Sequence, residues 1–161
     1  MENTDRTTPR AGKLASHHLS HVFVGLILMV VGFGTTGCDG LPARVPVSGK
    51  VTVGGEALKC GSITFYATAG GRPGGATLAE DGSYSVTMYK PDDGLPPGTY
   101  TVTVAAADWV SDKACRWHAP KRYQNAKTSG LVAEIGGEAT TLDFDLTWEG
   151  DPHKKPWVEK F

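Results

Sequence analysis

Gly98-Thr99-Tyr100-Thr101-Val102-Thr103-Val104 is the stretch that decides the fold. Thr99, Thr101 and Thr103 fall on one side and Tyr100, Val102 and Val104 on the other, the period of two that marks a half-buried strand. The same alternation recurs outward in both directions. Val47, Val51 and Val53 oppose Ser48, Lys50 and Thr52, and Ile63, Phe65 and Ala67 oppose Ser62, Thr64 and Tyr66. Tyr84, Val86 and Met88 share a face, as do Leu131, Ala133 and Ile135, then Leu142, Phe144 and Leu146 with Asp143 and Asp145 turned to solvent. Turn residues separate the runs. Asp81-Gly82 predicts a hairpin whose glycine takes a positive φ, Gly54-Gly55 and Gly136-Gly137 reverse the chain, and Lys90 to Pro97 is a proline-bounded loop. Gly70 to Gly75 is a flexible loop rather than a phosphate cradle, because no helix follows it. No segment carries a helical period, and 21 glycines with 10 prolines suit a turn-rich chain. The expectation is all-β: seven short strands in a two-sheet antiparallel sandwich over residues 47–147, with residues 148–161 as a C-terminal tail.

Ahead of that domain, Val22 to Phe33 is apolar or glycine throughout. It is shorter than the roughly 20 residues that cross a bilayer, and it matches the h-region of a secretory signal. Arg6, Arg10 and Lys13 precede it, and Thr36-Gly37-Cys38 close it. A cysteine after small residues resembles the lipobox of bacterial lipoproteins, although Thr35 stands where that pattern prefers leucine. The resemblance implies a lipoprotein signal peptide over residues 1–37, acylation of Cys38, and a tether over residues 38–46. Ordinary cleavage to a soluble protein and retention as an uncleaved anchor are the alternatives. All three place the remaining chain outside the cytoplasm. The lipoprotein reading sets it on the cell membrane, facing periplasm or exterior.

With 16 Lys and Arg against 17 Asp and Glu, and no basic run, the chain is a poor partner for nucleic acid. If Cys38 takes a lipid, Cys60 and Cys115 remain as an even pair in an oxidising compartment. A disulfide between them would close a loop of about 55 residues, worth about 4 kcal/mol on the chain-entropy model; the alternative is two separate buried thiols.

Pro46-Val47-Ser48-Gly49-Lys50-Val51-Thr52, Glu80-Asp81-Gly82-Ser83-Tyr84 and Leu95-Pro96-Pro97-Gly98-Thr99-Tyr100-Thr101-Val102 resemble the carboxypeptidase regulatory-like, or transthyretin-like, β-sandwich. Pro120 to Tyr123, Thr128 to Leu131 and Leu142 to Leu146 look like small bacterial lipoproteins built on that domain. The resemblance covers residues 46–147 and implies a seven-stranded prealbumin-like sandwich, usually an accessory or surface module without catalysis. The same fold hosts hydroxyisourate hydrolases, with a Tyr-Arg-Gly-Ser ending where this chain has Trp157-Val158-Glu159-Lys160-Phe161.

Chemistry-bearing residues are sparse. No Gly-x-Ser-x-Gly elbow occurs, and beyond residue 37 the only histidines are His118 and His153. His17, His18 and His21 cluster within the expected signal peptide, and Asp112, Cys115 and His118 lack the paired spacing of structural zinc. Asp92-Asp93 is too small an acidic turn for calcium. Asp143, Asp145 and Glu149 alternate on one strand face without an opposing carboxylate. No metal or cofactor is therefore expected.

Residues 107–130 read as a long loop holding Trp109, Trp117 and Tyr123, and a loop of this length is usually functional or disordered. Exposed, these rings form a stacking or anchoring surface; otherwise, with Trp148 and Trp157, they cover the ends of the sandwich. The sequence thus points to a lipid-anchored, non-enzymatic envelope module that binds a protein or glycan or serves a structural role. A polysaccharide-binding module using the loop tryptophans is the second reading. A transthyretin-like hydrolase, requiring His118 to meet a catalytic partner in a cleft, is the third.

Overall fold

The computed structural model describes residues 42–161. The expected signal peptide, its 22–33 stretch, Cys38 and the histidine cluster lie outside the described residues, as does the tether up to residue 41.

The described chain is all-β apart from one 3-10 turn, Lys121–Gln124. Its strands are β1 (Val47–Val53), β2 (Glu56–Ala57), β3 (Ser62–Ala67), β4 (Gly74–Thr77), β5 (Ser83–Ser85) and β6 (Gly98–Ala105), followed by β7 (Ala107–Ser111), β8 (Ala114–Trp117), β9 (Leu131–Ile135), β10 (Thr140–Thr141), β11 (Phe144–Leu146) and β12 (Trp157–Lys160). β4, β3, β6 and β9 form one antiparallel sheet in that order. The decisive 98–104 stretch lies inside β6, between β3 and β9. Tyr100, Val102 and Val104 are buried as the alternation requires; Thr103 is buried as well.

β1 is the middle of a second sheet. β5 and β2 pair antiparallel with its two halves, while β10 and β11 pair with it in parallel. That mixture departs from the purely antiparallel expectation. Between β10 and β11 the chain rides over Gly49, where a Cβ would stand 1.9 Å from the Leu142 carbonyl oxygen. There the Asp143 carboxylate replaces a backbone acceptor, taking the Lys50 N–H at 2.7 Å.

The two sheets meet at Phe65. Its ring lies 6.4 Å from Tyr100 of its own sheet, and 6.1 Å from Tyr84 and 6.3 Å from Phe144 of the other. Val47, Val51, Ile63, Val86, Val102 and Leu146 complete this core at about zero exposure, each contributing about 1.5–3 kcal/mol by leaving water. The buried phenols are satisfied: Tyr84 donates to Leu142 O at 2.6 Å and Tyr100 to Pro96 O at 2.8 Å. Burial pushes both hydroxyls above the ordinary tyrosine value.

One expected turn forms and two other expectations change. The Asp81-Gly82 turn forms, with Gly82 at φ 78° and Ala79 N–H donating to Ser83 O. The expected hairpin closes across it, Gly75 of β4 and Thr87 exchanging both backbone hydrogen bonds in the register of the Ala79–Ser83 pair, while the ladders of β4 and β5 continue into different sheets, so the hairpin links the two layers. The 107–130 segment is not a loop: β7 and β8 make a hairpin, joined by β12 from the expected tail into a third sheet ordered β12-β8-β7. Cys60 and Cys115 are separate thiols, not a bridge; Cys60 sits between β2 and β3, and Cys115 is buried inside the β8 ladder.

Within the expected tether, Val45 already exchanges two backbone hydrogen bonds with Leu95. Arg44 pairs with Asp93 at 2.9 Å. Burial raises the Asp93 carboxyl, but the amides of Met88, Lys90 and Tyr89, together with Arg44, outweigh it and hold the group below the usual range. Asp92-Asp93 is thus a structural turn. Asp145 is likewise held low, by the Thr52 hydroxyl and then the Gly55 amide.

Candidate functional site

The third sheet positions most of the residues singled out by sequence, and its register sorts them by face. Trp157, Trp117 and Ala107 stand in one row and Glu159, Cys115 and Trp109 in the next, all on one side. Asp108, Arg116 and Val158 form a row on the opposite side.

On the aromatic side the rings have different fates. Trp117 is half-buried: its indole N–H donates to Glu159 Oε2 at 3.0 Å, and Lys121 Nζ lies 4.6 Å above the ring. The same ammonium reaches Trp157 at 5.2 Å and both Glu159 oxygens at 2.6–2.7 Å. Lys121, and then the Trp117 indole, keep the Glu159 carboxyl below its ordinary value. His153, within the expected C-terminal tail, stacks flat on Trp157 at 3.7 Å. Tyr123 belongs to no surface. It is 5% exposed, and its hydroxyl accepts from Thr147 N at 3.1 Å and Arg122 Nη2 at 2.9 Å. Of the three expected binding residues, only Trp109 projects into solvent, at 70% exposure, with Phe161 5.8 Å away at 68%. Every residue of β7 is exposed, and among the described residues the strand pairs along one edge only.

The opposite side faces a groove that sequence reading missed. It encloses about 630 Å³ between the β1–β2 turn, the residues leading into β3, and the third sheet. Val53, Ala57, Leu58, Trp148 and Pro156 make it apolar; Glu56, Lys59, Cys60, Asp108 and His118 bring polar groups to it. His118 Nε2 donates to Asp108 Oδ1 at 2.5 Å, and Arg116 reaches the other carboxylate oxygen at 3.9 Å. His118 is therefore held against Asp108 at the groove wall and is not isolated on the surface. Burial raises the Cys60 thiol above its ordinary value, and the Asp108 charge pushes the same way. A nucleophilic cysteine needs the reverse, since the thiolate is the reactive form. Among the described residues no group of three or more His, Cys, Asp or Glu side chains is placed to hold a metal ion.

No signal in the sequence joined these groups. Asp108 and His118 stand ten residues apart and meet because β7 and β8 fold back on each other, with Ala106 O accepting the His118 N–H. Cys60 comes from a different part of the chain.

No family model matches the chain, and no curated protein matches it. Among solved structures, a DUF3823 family protein from Parabacteroides merdae is similar at 16% identity and a TM-score of 0.40, over 66% of this chain. The chain spans 47% of the length of that protein.

Proposed function

We propose that this protein is a lipid-anchored, non-enzymatic binding module of the cell envelope. Its sandwich has the prealbumin-like arrangement, and its contact surface is the open edge and aromatic face of the third sheet. Acylated Cys38 holds it to the membrane, facing periplasm or exterior. The observation that carries the reading is β7: a strand exposed at every position and, among the described residues, unpaired along one edge, with Trp109, Val110 and the neighbouring Phe161 left in solvent. Solvated apolar rings beside an unpaired edge suit a protein partner that adds a strand.

A photo-crosslinker at Val110 in the native membrane fraction tests the surface. The expected result is one discrete adduct with an envelope protein, lost in Trp109→Ala. Adducts that survive Trp109→Ala, or none at all, would overturn it. The glycan alternative draws on the Trp109–Phe161 pair as a stacking platform. It predicts retention on insoluble envelope polysaccharide that Trp109→Ala abolishes. The intact mass from the membrane fraction tests the anchor: a chain beginning at an acylated Cys38 is expected, and an unmodified chain retaining residues 1–37 would refute it.

A further inference from the structure

The groove on the far side of the third sheet is a second site, independent of the anchor and of the aromatic surface. We infer that it binds small organic cations: an apolar or aromatic body lying against Trp148, Pro156 and Leu58, with an ammonium head directed to Asp108 and Glu56.

The case rests on shape, charge and wall chemistry together. A concavity of about 630 Å³ is within the range of small-molecule sites, and such sites are mostly apolar with a few convergent polar groups. Two carboxylates, Glu56 and Asp108, line it against a single lysine, Lys59. His118 Nε2 lies 2.5 Å from only one of the two Asp108 carboxylate oxygens, Oδ1. Arg116 stands at 3.9 Å on the other oxygen, and both side chains are nearly half exposed, so this ion pair is weak. Cys60, another lining group, has its thiol raised first by burial and then by the Asp108 charge, so that carboxylate acts on a group inside the groove. Trp148 in the wall adds an aromatic side chain of the type that attracts a desolvated cation. An anionic ligand would have to approach both carboxylates; an amine meets a carboxylate and an apolar wall at once.

Cys60 supplies the readout, because a ligand in the groove covers a thiol that lines it. The full chain, purified in detergent, would be alkylated with iodoacetamide, and the rate at Cys60 followed by peptide mass spectrometry. The two probes are phenethylammonium and 3-phenylpropionate, which share a ring and differ in the sign of the head group. Phenethylammonium at millimolar concentration is expected to slow alkylation of Cys60, and 3-phenylpropionate to leave it unchanged. Asp108→Asn should weaken amine protection about tenfold, the loss expected for one charge-assisted hydrogen bond. Because Asp108 also holds His118, Glu56→Gln is the second variant; it leaves that pair intact and should weaken protection in the same direction. Equal protection by both probes, protection by the acid alone, or no protection by either would overturn the inference. So would full amine protection in both variants.

Discussion

Replacing Gly94 with alanine should cost far more than the same change at Gly54, and the difference isolates the docking of the 44–46 segment. Both glycines sit in left-handed backbone, at φ 73° and 59°, where an L-residue pays about 1–2 kcal/mol. Around Gly54 a Cβ would meet nothing within 4 Å. At Gly94 it would stand 1.8 Å from the Val45 carbonyl oxygen and 2.9 Å from the Pro46 Cα. Both contacts are backbone, so no side chain can swing away. Relief requires Val45 to leave Leu95, breaking the Val45 N–H to Leu95 O bond at 2.9 Å and the Leu95 N–H to Val45 O bond at 3.0 Å. At about 0.5–1.5 kcal/mol each, the opening adds about 1–3 kcal/mol. Gly94→Ala should thus lose about 2–5 kcal/mol and Gly54→Ala about 1–2 kcal/mol. Urea unfolding of both variants against the parent, with equal m-values, measures the gap. Equal losses would refute the reasoning and show that the 44–46 segment contributes nothing to the domain.

Tyr123→Phe removes the acceptor of the Thr147 N–H and of Arg122, and should destabilise the domain by about 1–3 kcal/mol, whereas Trp109→Ala should stay within about 0.5 kcal/mol; urea midpoints of the pair separate the buried ring from the exposed one. Asp81 is held down to about 2, first by the Ser83 hydroxyl and then by the Ser83 amide. Since its folded value lies below the ordinary aspartate value of about 3.9, its contribution is complete above that value and disappears as pH falls toward about 2. Denaturant midpoints across that interval should fall less steeply in Asp81→Asn than in the parent. Without any reductant, alkylation should reach Cys60 in the folded protein and Cys115 only after denaturation; a disulfide-linked 60–115 peptide pair would overturn that expectation.

How much could be read from sequence depended on whether a strand buries one face. β1, β3, β6, β9 and β11 each set apolar residues against polar ones, and Phe65, Val102 and Leu146 fell where the alternation placed them. β2 and β10 are two residues long and too short to display a period. β7, β8 and β12 escaped for another reason. Their sheet carries rings on one face and a charged row on the other, so Asp108-Trp109 and Val158-Glu159 obey no simple polar–apolar rule. Residue type also misled: Tyr123 reads like Trp109 on paper, and only its packing under Arg122 and Thr147 tells them apart. The groove had no local signature, because Cys60, Asp108 and His118 are assembled by two unconnected turns.

The placement of β1 has a consequence for the order of events in the life of the chain. The first long strand among the described residues is the centre of its sheet, and its two parallel neighbours follow some ninety residues later, Val51 facing Phe144 and Val53 facing Leu146. A chain emerging amino terminus first can form the β1–β2 hairpin early, but one edge of β1 stays bare until residue 146 is free. Such distant pairings make closure slow, and the domain cannot be finished piecemeal. Its completion waits until residues 140–146 are free to pair along the bare edge of β1.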